Sequence, residues 1–371
     1  MILCYKKILC LALVVALLAT TLAGCFHTQG PNPSSSSMLD TAPNTGATTT
    51  TQPTHIPDTL PPIHTVPPVT KPTEPPVTQP TEPPVTQPTE PPVTQPTEPP
   101  VSNTPNITAN HSFIFDTGSQ DFLYNSAAIE TKVYPASITK LFTSYVALQY
   151  LSLEDTVTVG NEVYYISDDA SIAGFRKGDV LTVENLIYGA LLPSGCDASY
   201  ILAAAAGRVI LEDPNAGAKD AVNAFISVCN QQVQALGLVN TNIVNPDGYH
   251  HRNHYFSLQA LAIVGTLVLE DAYLSRVCAT ASVTITYKNA AGNNCSVTLK
   301  NTNKLIHSNS QYYNPLAVGL KTGTTYAAGA CLLAAYRVGD RYILVGVLGC
   351  DSNNGRFDDA NALFERFISQ Q

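Results

Sequence analysis

The sequence predicts an α+β domain, with an antiparallel sheet flanked by helices and an added helical lobe. Three observations predict it. Strand-like runs open the domain at about residue 112, a largely helical stretch fills about residues 182–270, and strand-like runs return before a closing amphipathic helix. Tight turns join neighbouring strand runs, which is how antiparallel pairs are connected.

The elements follow in order. "SFIFDTGSQDFLYN" carries two alternating runs around Thr117-Gly118 and reads as a β-hairpin. "YPASITK", Tyr134 to Lys140, comes next. Pro135 keeps a helix from starting earlier. Beyond it Leu141, Phe142, Tyr145, Val146 and Leu148 recur at helical spacing, a stripe to be buried. The segments "VENLIYGALL", "ASYILAAAAGRVI", "AVNAFISVCNQQVQALG" and "SLQALAIVGTLVL" read as helices. "ASVTITYK" and "CSVTLKN" read as strands around an Ala-Gly-Asn-Asn turn. "AVGLKTG", "CLLAAYRV" and "RYILVGVLG" follow, the last two joined by Gly339-Asp340. In the closing helix Phe357, Ala360, Leu363, Phe364 and Phe367 share one face.

Ahead of this domain, 109–371, lie two segments of different character. Residues 1–24 resemble a bacterial lipoprotein signal peptide. Lys6 and Lys7 precede an apolar run from Ile8 to Leu18, too short for a comfortable membrane span. The run ends in Leu22-Ala23-Gly24-Cys25, and the resemblance makes Cys25 the lipidation site. The alternatives are a plain secretory signal or an uncleaved anchor. Lipidation implies a chain held on the extracytoplasmic face of the membrane and reaching into the wall. Residues 25–108 form a Pro/Thr-rich stalk in which the octad "TEPPVTQP" begins at Thr73 and recurs at Thr81 and Thr89. Proline removes donors and fixes φ, so the stalk is expected to be extended and disordered. At roughly 3.1 Å per residue, residues 31–108 reach about 240 Å.

Composition excludes some functions. The net charge of −9 comes with no basic stripe, so nucleic acid is not an expected partner. Of the 9 cysteines, Cys196, Cys229, Cys278, Cys295, Cys331 and Cys350 fall in the domain, an even set that permits disulfides without fixing a pairing. No Cys/His spacing suits zinc, and no cofactor is expected. "YHHRNHY" places His250 and His254 four apart, but without the inserted Glu of a zincin motif.

Three short motifs carry the chemistry. Ser137 stands one turn before Lys140, on the same helical face, where a lysine can take the serine's proton. Ser194-Gly195-Cys196 follows a helical run broken at Pro193, and Lys321-Thr322-Gly323 lies on a strand. Their order resembles the three motifs of penicillin-recognising serine enzymes. With "LTVENLIYGALLPSGCDAS", "NTNIVNPDGYHHRNHY", "NTNKL" and "GLKTGTT", the stretch from about Ser112 to Gly349 resembles the low-molecular-weight D-alanyl-D-alanine carboxypeptidases, serine peptidases of the S11 type.

The resemblance implies a β-lactamase/transpeptidase-like fold and an enzyme that trims the terminal D-alanine from peptidoglycan pentapeptide stems. It implies that Ser137 forms the acyl-enzyme and is acylated by β-lactams. Lys140 would be its base, which requires an uncharged amine, whereas a free lysine titrates at about 10.4. Desolvation, a helix N-terminus and the second cation, Lys321, all act toward neutrality. Ser194 would relay a proton to the leaving amine. Lys321, Thr322 and Thr324 would bind the substrate carboxylate, and Gly323 would let the substrate lie close to the strand. The backbone N–H groups of Ser137 and Thr324 would form the oxyanion hole. The imidazole at His254 would be structural. The family usually has Asn where Cys196 stands, and a thiol is a weaker partner for a peptide than an amide. The rival readings are a class A-like β-lactamase and a non-catalytic, lipid-anchored wall-binding module. The first needs a glutamate in an E-x-x-L-N context, and none lies between Ser194 and Lys321.

Overall fold

A computed structural model of the chain describes residues 106–368. The signal, Cys25 and nearly all of the stalk lie outside the described residues. The described part begins where the chain meets the domain: the backbone N–H groups of Thr108 and Ala109 both donate to Asp359 Oδ2.

Five strands form the main sheet: β1 (His111–Asp116), β2 (Asp121–Asn125), β9 (Ala317–Thr325), β10 (Gly329–Val338) and β11 (Arg341–Cys350). Their spatial order is β2-β1-β11-β10-β9, with every pair antiparallel. The last three strands in sequence therefore lie on one side of the strand that begins the domain, with β11 paired to β1. Both faces of the sheet are covered, so β1, β10 and β11 are buried through most of their length instead of alternating. On one face Ile114, Tyr336, Ile343 and Val345 pack against Phe357, Leu363 and Phe364 of the C-terminal helix. The Tyr336 and Phe364 rings stack 3.9 Å apart. On the other face Phe113, Phe115, Leu333 and Leu344 join the core of the helical lobe.

That lobe contains helices α1 (Thr139–Ala147), α2 (Val183–Leu191), α3 (Cys196–Ile210), α4 (Ala218–Ala235), α5 (Leu258–Glu270) and α6 (Ala272–Cys278); α7 (Gly355–Ile368) is the C-terminal helix. Side chains cap several of them. Thr182 accepts from Asn185 N, Ser257 from Ala260 N, and Asp271 from Tyr273 N and Leu274 N. The four helices expected between 182 and 270 all form, and α6 is an addition the pattern did not reveal. Its seven residues span too few turns to show a period. Helix α1 is buried at all nine positions, where a one-sided stripe was expected, because α2, α3, α5 and the 3-10 turn before it pack around it.

β7 (Ser282–Lys288) and β8 (Asn294–Lys300) do not join the main sheet. They pair with each other and, through Val180↔Lys288, with β5 (Val180–Thr182), which in turn pairs with β4 (Thr156–Thr158). A two-stranded ribbon, β3 (Lys132–Val133) with β6 (Phe256–Ser257), completes the described strands. All six cysteines of the domain are free thiols.

Candidate active site

The expected nucleophile sits where the chain is locally forced. Ala136 to Ile138 form a single 3-10 turn that runs directly into α1. Three residues per turn place Ser137 in line with Lys140. Ser137 Oγ is 2.8 Å from Lys140 Nζ. Lys140 is fully buried, and its amine also donates to Asp247 O at 2.7 Å and to Cys196 Sγ at 3.4 Å. None of these three partners is a carboxylate. A buried amine with neutral partners suits proton transfer better than one locked in an ion pair.

The 3-10 turn is braced from behind. Ala136 has φ 48°, a left-handed value rare outside glycine. Thr139 Oγ1 donates to Ala136 O at 2.8 Å. His254 Nδ1 accepts from Val244 N, so its Nε2 carries the proton and donates to Thr139 Oγ1 at 2.9 Å. Burial above all, then the charges of His251, His250 and Lys140, push the His254 imidazole down to about 3. His254 is thus a neutral structural group, and no metal-binding cluster occurs among the described residues. The Asn245–Gly248 turn completes the brace. Pro246 O accepts from Thr143 Oγ1 at 2.7 Å, and Asp247 O accepts from Lys140. Gly248 has φ 80°, and a Cβ there would meet Ala136 O at 1.9 Å. Only glycine lets the two backbones meet this closely.

The second motif enters from the head of α3. Ser194 has φ 66° and is nearly buried. Its carbonyl accepts from Ser171 Oγ at 2.7 Å, and Cys196 N donates to Ser171 O at 2.8 Å. Asp197 accepts from the backbone N–H groups of Ala173, Gly174 and Phe175, tying the 171–175 loop to the helix start. Burial, partly offset by Lys140, pushes the Cys196 thiol up to about 11, so it remains protonated at neutral pH.

The third motif lies on edge strand β9, with Lys321, Thr322 and Gly323 all buried. Lys321 Nζ donates to Thr322 O at 3.0 Å. Burial first, then the Lys140 and Arg356 charges, hold its ammonium well below the ordinary lysine range. A Cβ on Gly323 would come within 3.0 Å of Ser137 N and 2.8 Å of Pro135 O. The glycine is therefore needed first by the protein's own backbone, since it lets β9 reach the 3-10 turn. Thr322 Oγ1 is 2.6 Å from Thr302 Oγ1. Thr324 Oγ1 accepts from Arg356 Nη1 at 2.9 Å and has Asn353 Oδ1 at 3.0 Å.

All three motifs line one cleft of about 770 Å³, with Ser137, Ser194, Cys196, Thr322, Gly323 and Thr324 on its walls. Lys140 and Lys321 lie buried directly behind those walls. Four contributors were not singled out in the sequence: Asp247, Thr139, Arg356 and the pair Asp169–Tyr249. Arg356 lines the cleft and donates to Gly323 O at 2.9 Å, while its buried Nε has no hydrogen-bond partner among the described residues. Tyr249 OH donates to Asp169 Oδ1 at 2.9 Å across the cleft mouth. No glutamate is among the described residues lining the cleft.

Comparisons with known proteins show the family and the fold. The sequence profile of the peptidase S11 family, D-alanyl-D-alanine carboxypeptidase, matches residues 97–352. A D-alanyl-D-alanine carboxypeptidase from Streptomyces sp. (strain K15) is 31% identical over 264 residues, covering 70% of this chain and 87% of that protein. The D-alanyl-D-alanine carboxypeptidase DacC of Escherichia coli (strain K12) is 28% identical over 268 residues, covering 70% of this chain and 61% of that protein. The crystal structure of the Streptomyces K15 DD-transpeptidase superposes with a TM-score of 0.65 at 30% identity, covering 71% of this chain and 98% of that one.

Proposed function

Because the chain belongs to the S11 family of D-alanyl-D-alanine carboxypeptidases, we propose that Ser137 is the nucleophile of a peptidase that removes the terminal D-alanine from peptidoglycan pentapeptide stems. The observation that carries this reading is the 2.8 Å contact between Ser137 Oγ and the buried Lys140 amine. Ser137 Oγ attacks the carbonyl carbon between the two D-alanines, and its proton passes to Lys140 Nζ. The N–H groups of Ser137 and Thr324 receive the developing oxyanion; a donor of this kind is worth about 2.7–4 kcal/mol. The C–N bond then breaks. The Ser194 hydroxyl passes a proton from Lys140 to the leaving amine, and the stem remains as an ester on Ser137. Water, deprotonated by the regenerated Lys140 amine, hydrolyses the ester and restores the serine.

The substrate carboxylate is read as lying at the Thr324 end, with Thr322, Lys321 and Arg356 around it. A β-lactam would acylate Ser137 in the same way. None of the described residues lining the cleft is a glutamate that would activate water for that adduct, so the adduct should persist, unlike in a class A β-lactamase. Similarity to a protein solved as a DD-transpeptidase favours a second outcome, in which an amine of another stem replaces water at the ester.

For the N-terminus we propose lipidation at Cys25, with residues 25–108 as a spacer that presents the domain 109–371 to the wall. Two acyl chains on Cys25 would give stable attachment. A Cys25→Ser change should release the protein into the medium, and unchanged membrane association would contradict the anchor.

The direct test of the activity is mass spectrometry of the purified protein with a synthetic stem ending in D-Ala-D-Ala. Loss of one alanine from the stem, absent in Ser137→Ala, is expected. Covalent penicillin labelling without alanine release would favour the binding-module reading. Rapid turnover of a reporter cephalosporin would favour the β-lactamase.

A further inference from the structure

A second recess, of about 510 Å³, shares a chain segment with the cleft. Thr302 lines the cleft, while Asn301 and Lys304 line the recess. On the opposite strand of contacts, Asn353 approaches Thr324 in the cleft, while the next residue, Asn354, lines the recess. Its basic lining residues are Lys300, Lys304 and His307, the two lysines being exposed at its rim. The amides of Asn309, Gln311 and Asn354, the Ser310 hydroxyl and the ring of Tyr312 also line it, and none of the described residues lining it is Asp or Glu.

The groups are also positioned. Lys304 Nζ donates to Asn354 Oδ1 at 2.9 Å and lies 5.6 Å from the centroid of the Tyr312 ring. An ammonium has three donors, so Lys304 keeps two for a ligand. His307 Nε2–H is taken up by Asn301 O at 2.8 Å, which fixes the ring. Neither lysine forms an ion pair among the described residues.

We propose that this recess binds a phosphate group carried on a polyol or sugar. Two ammonium groups with no lining carboxylate select an anion. Lysine acts as a point charge suited to phosphate, whereas a planar carboxylate is matched best by the fork of an arginine, and none lines the recess. The volume exceeds what a lone phosphate needs, and the surrounding amides and single aromatic ring suit the hydroxyl groups of a carrier. The carrier is either a small soluble phosphate ester or a repeating phosphodiester polymer of the cell envelope. The recess adjoins the cleft without sharing its reacting groups, so binding is separable from turnover.

The test is calorimetric titration of the full chain, kept in detergent, with glycerol 3-phosphate, a short poly(glycerol phosphate) and citrate at low ionic strength. Saturable binding of both phosphate ligands is expected. A Lys300→Gln/Lys304→Gln double variant should bind them at least about tenfold more weakly, while penicillin labelling of Ser137 stays at the wild-type level and so reports an intact fold. Tighter binding of the oligomer than of the monomer assigns the ligand to a polymer, and equal binding per phosphate assigns it to a soluble ester. Absence of saturable binding below about 10 mM overturns the proposal. So does equal binding by the double variant, or citrate binding as tight as that of either phosphate.

Discussion

Among the cleft residues whose side chains can hydrogen-bond, Cys196 is the least suited to holding a peptide. The side chain is 4% exposed, and its sulfur receives a long hydrogen bond from Lys140. A thiol is a poor acceptor for that amine and a poor anchor for a peptide. An amide in its place would supply a carbonyl to Lys140 and two N–H donors to the substrate backbone. A net hydrogen bond contributes about 0.5–1.5 kcal/mol. The Cys196→Asn variant is therefore expected to be acylated by penicillin up to about tenfold faster, since 1.4 kcal/mol corresponds to a factor of ten. Stopped-flow labelling gives the rate, and an unchanged rate would show that the residue does not anchor the acyl donor. Ser137→Ala is expected to abolish labelling altogether. Its thermal midpoint should stay within a few degrees of the parent, because among the described residues Ser137 Oγ is bonded only to Lys140.

Strand β9 and the 3-10 turn before α1 meet at Gly323, which couples two elements far apart in the chain. A methyl group there must displace Pro135 O and Ser137 N, both backbone atoms. Neither can rotate away as a side-chain end would. Gly323→Ala should therefore push the strand off the turn and displace the Thr324 N–H from the oxyanion position. A loss of about 10²-fold or more in acylation rate is expected, with stability reduced by about 1–3 kcal/mol, measurable by urea unfolding. The same contact shows what the sequence could and could not reveal. "AVGLKTG" was legible as a strand, and Lys321-Thr322-Gly323 as a site. That the glycine serves the protein's own backbone before it serves a substrate depends on which element lies opposite, and periodicity does not carry that. The β7–β8 hairpin was equally legible, but its attachment to the small sheet of β4 and β5 is made through a bridge to Val180, over a hundred residues earlier in the chain. Arg356 is not singled out by the sequence, because nothing local marks a side chain that turns back to Gly323 and Thr324.

At the level of the folded domain, the cleft is a seam. The helical lobe supplies Ser194, Cys196 and the Asn245–Gly248 turn, the main sheet supplies Lys321 to Thr324, and α1 lies buried between them. Site geometry is thus tied to global stability, and His254 connects the two to pH. In the folded state its imidazole is pushed down to about 3, chiefly by burial, while in an unfolded chain it titrates at about 6.5. Above pH 6.5 both states are neutral at this residue and its contribution is fully present. As pH falls from 6.5 toward 3, the unfolded chain takes up a proton that the folded one refuses, and stability is lost progressively, by at most about 1.4 kcal/mol per pH unit. Urea midpoints measured between pH 7 and pH 5 should therefore fall more steeply for the parent than for a His254→Gln variant. Once His254 is protonated, its bonds to Thr139 Oγ1 and Val244 N cannot both survive, because Nδ1 can no longer accept. Thr139 holds the Ala136 carbonyl, one residue before Ser137. Penicillin labelling of the parent should thus be lost over the same acid range as the fold, in one transition. An acid loss of labelling that persists in His254→Gln, or equal slopes for the two proteins, would separate the imidazole from both effects.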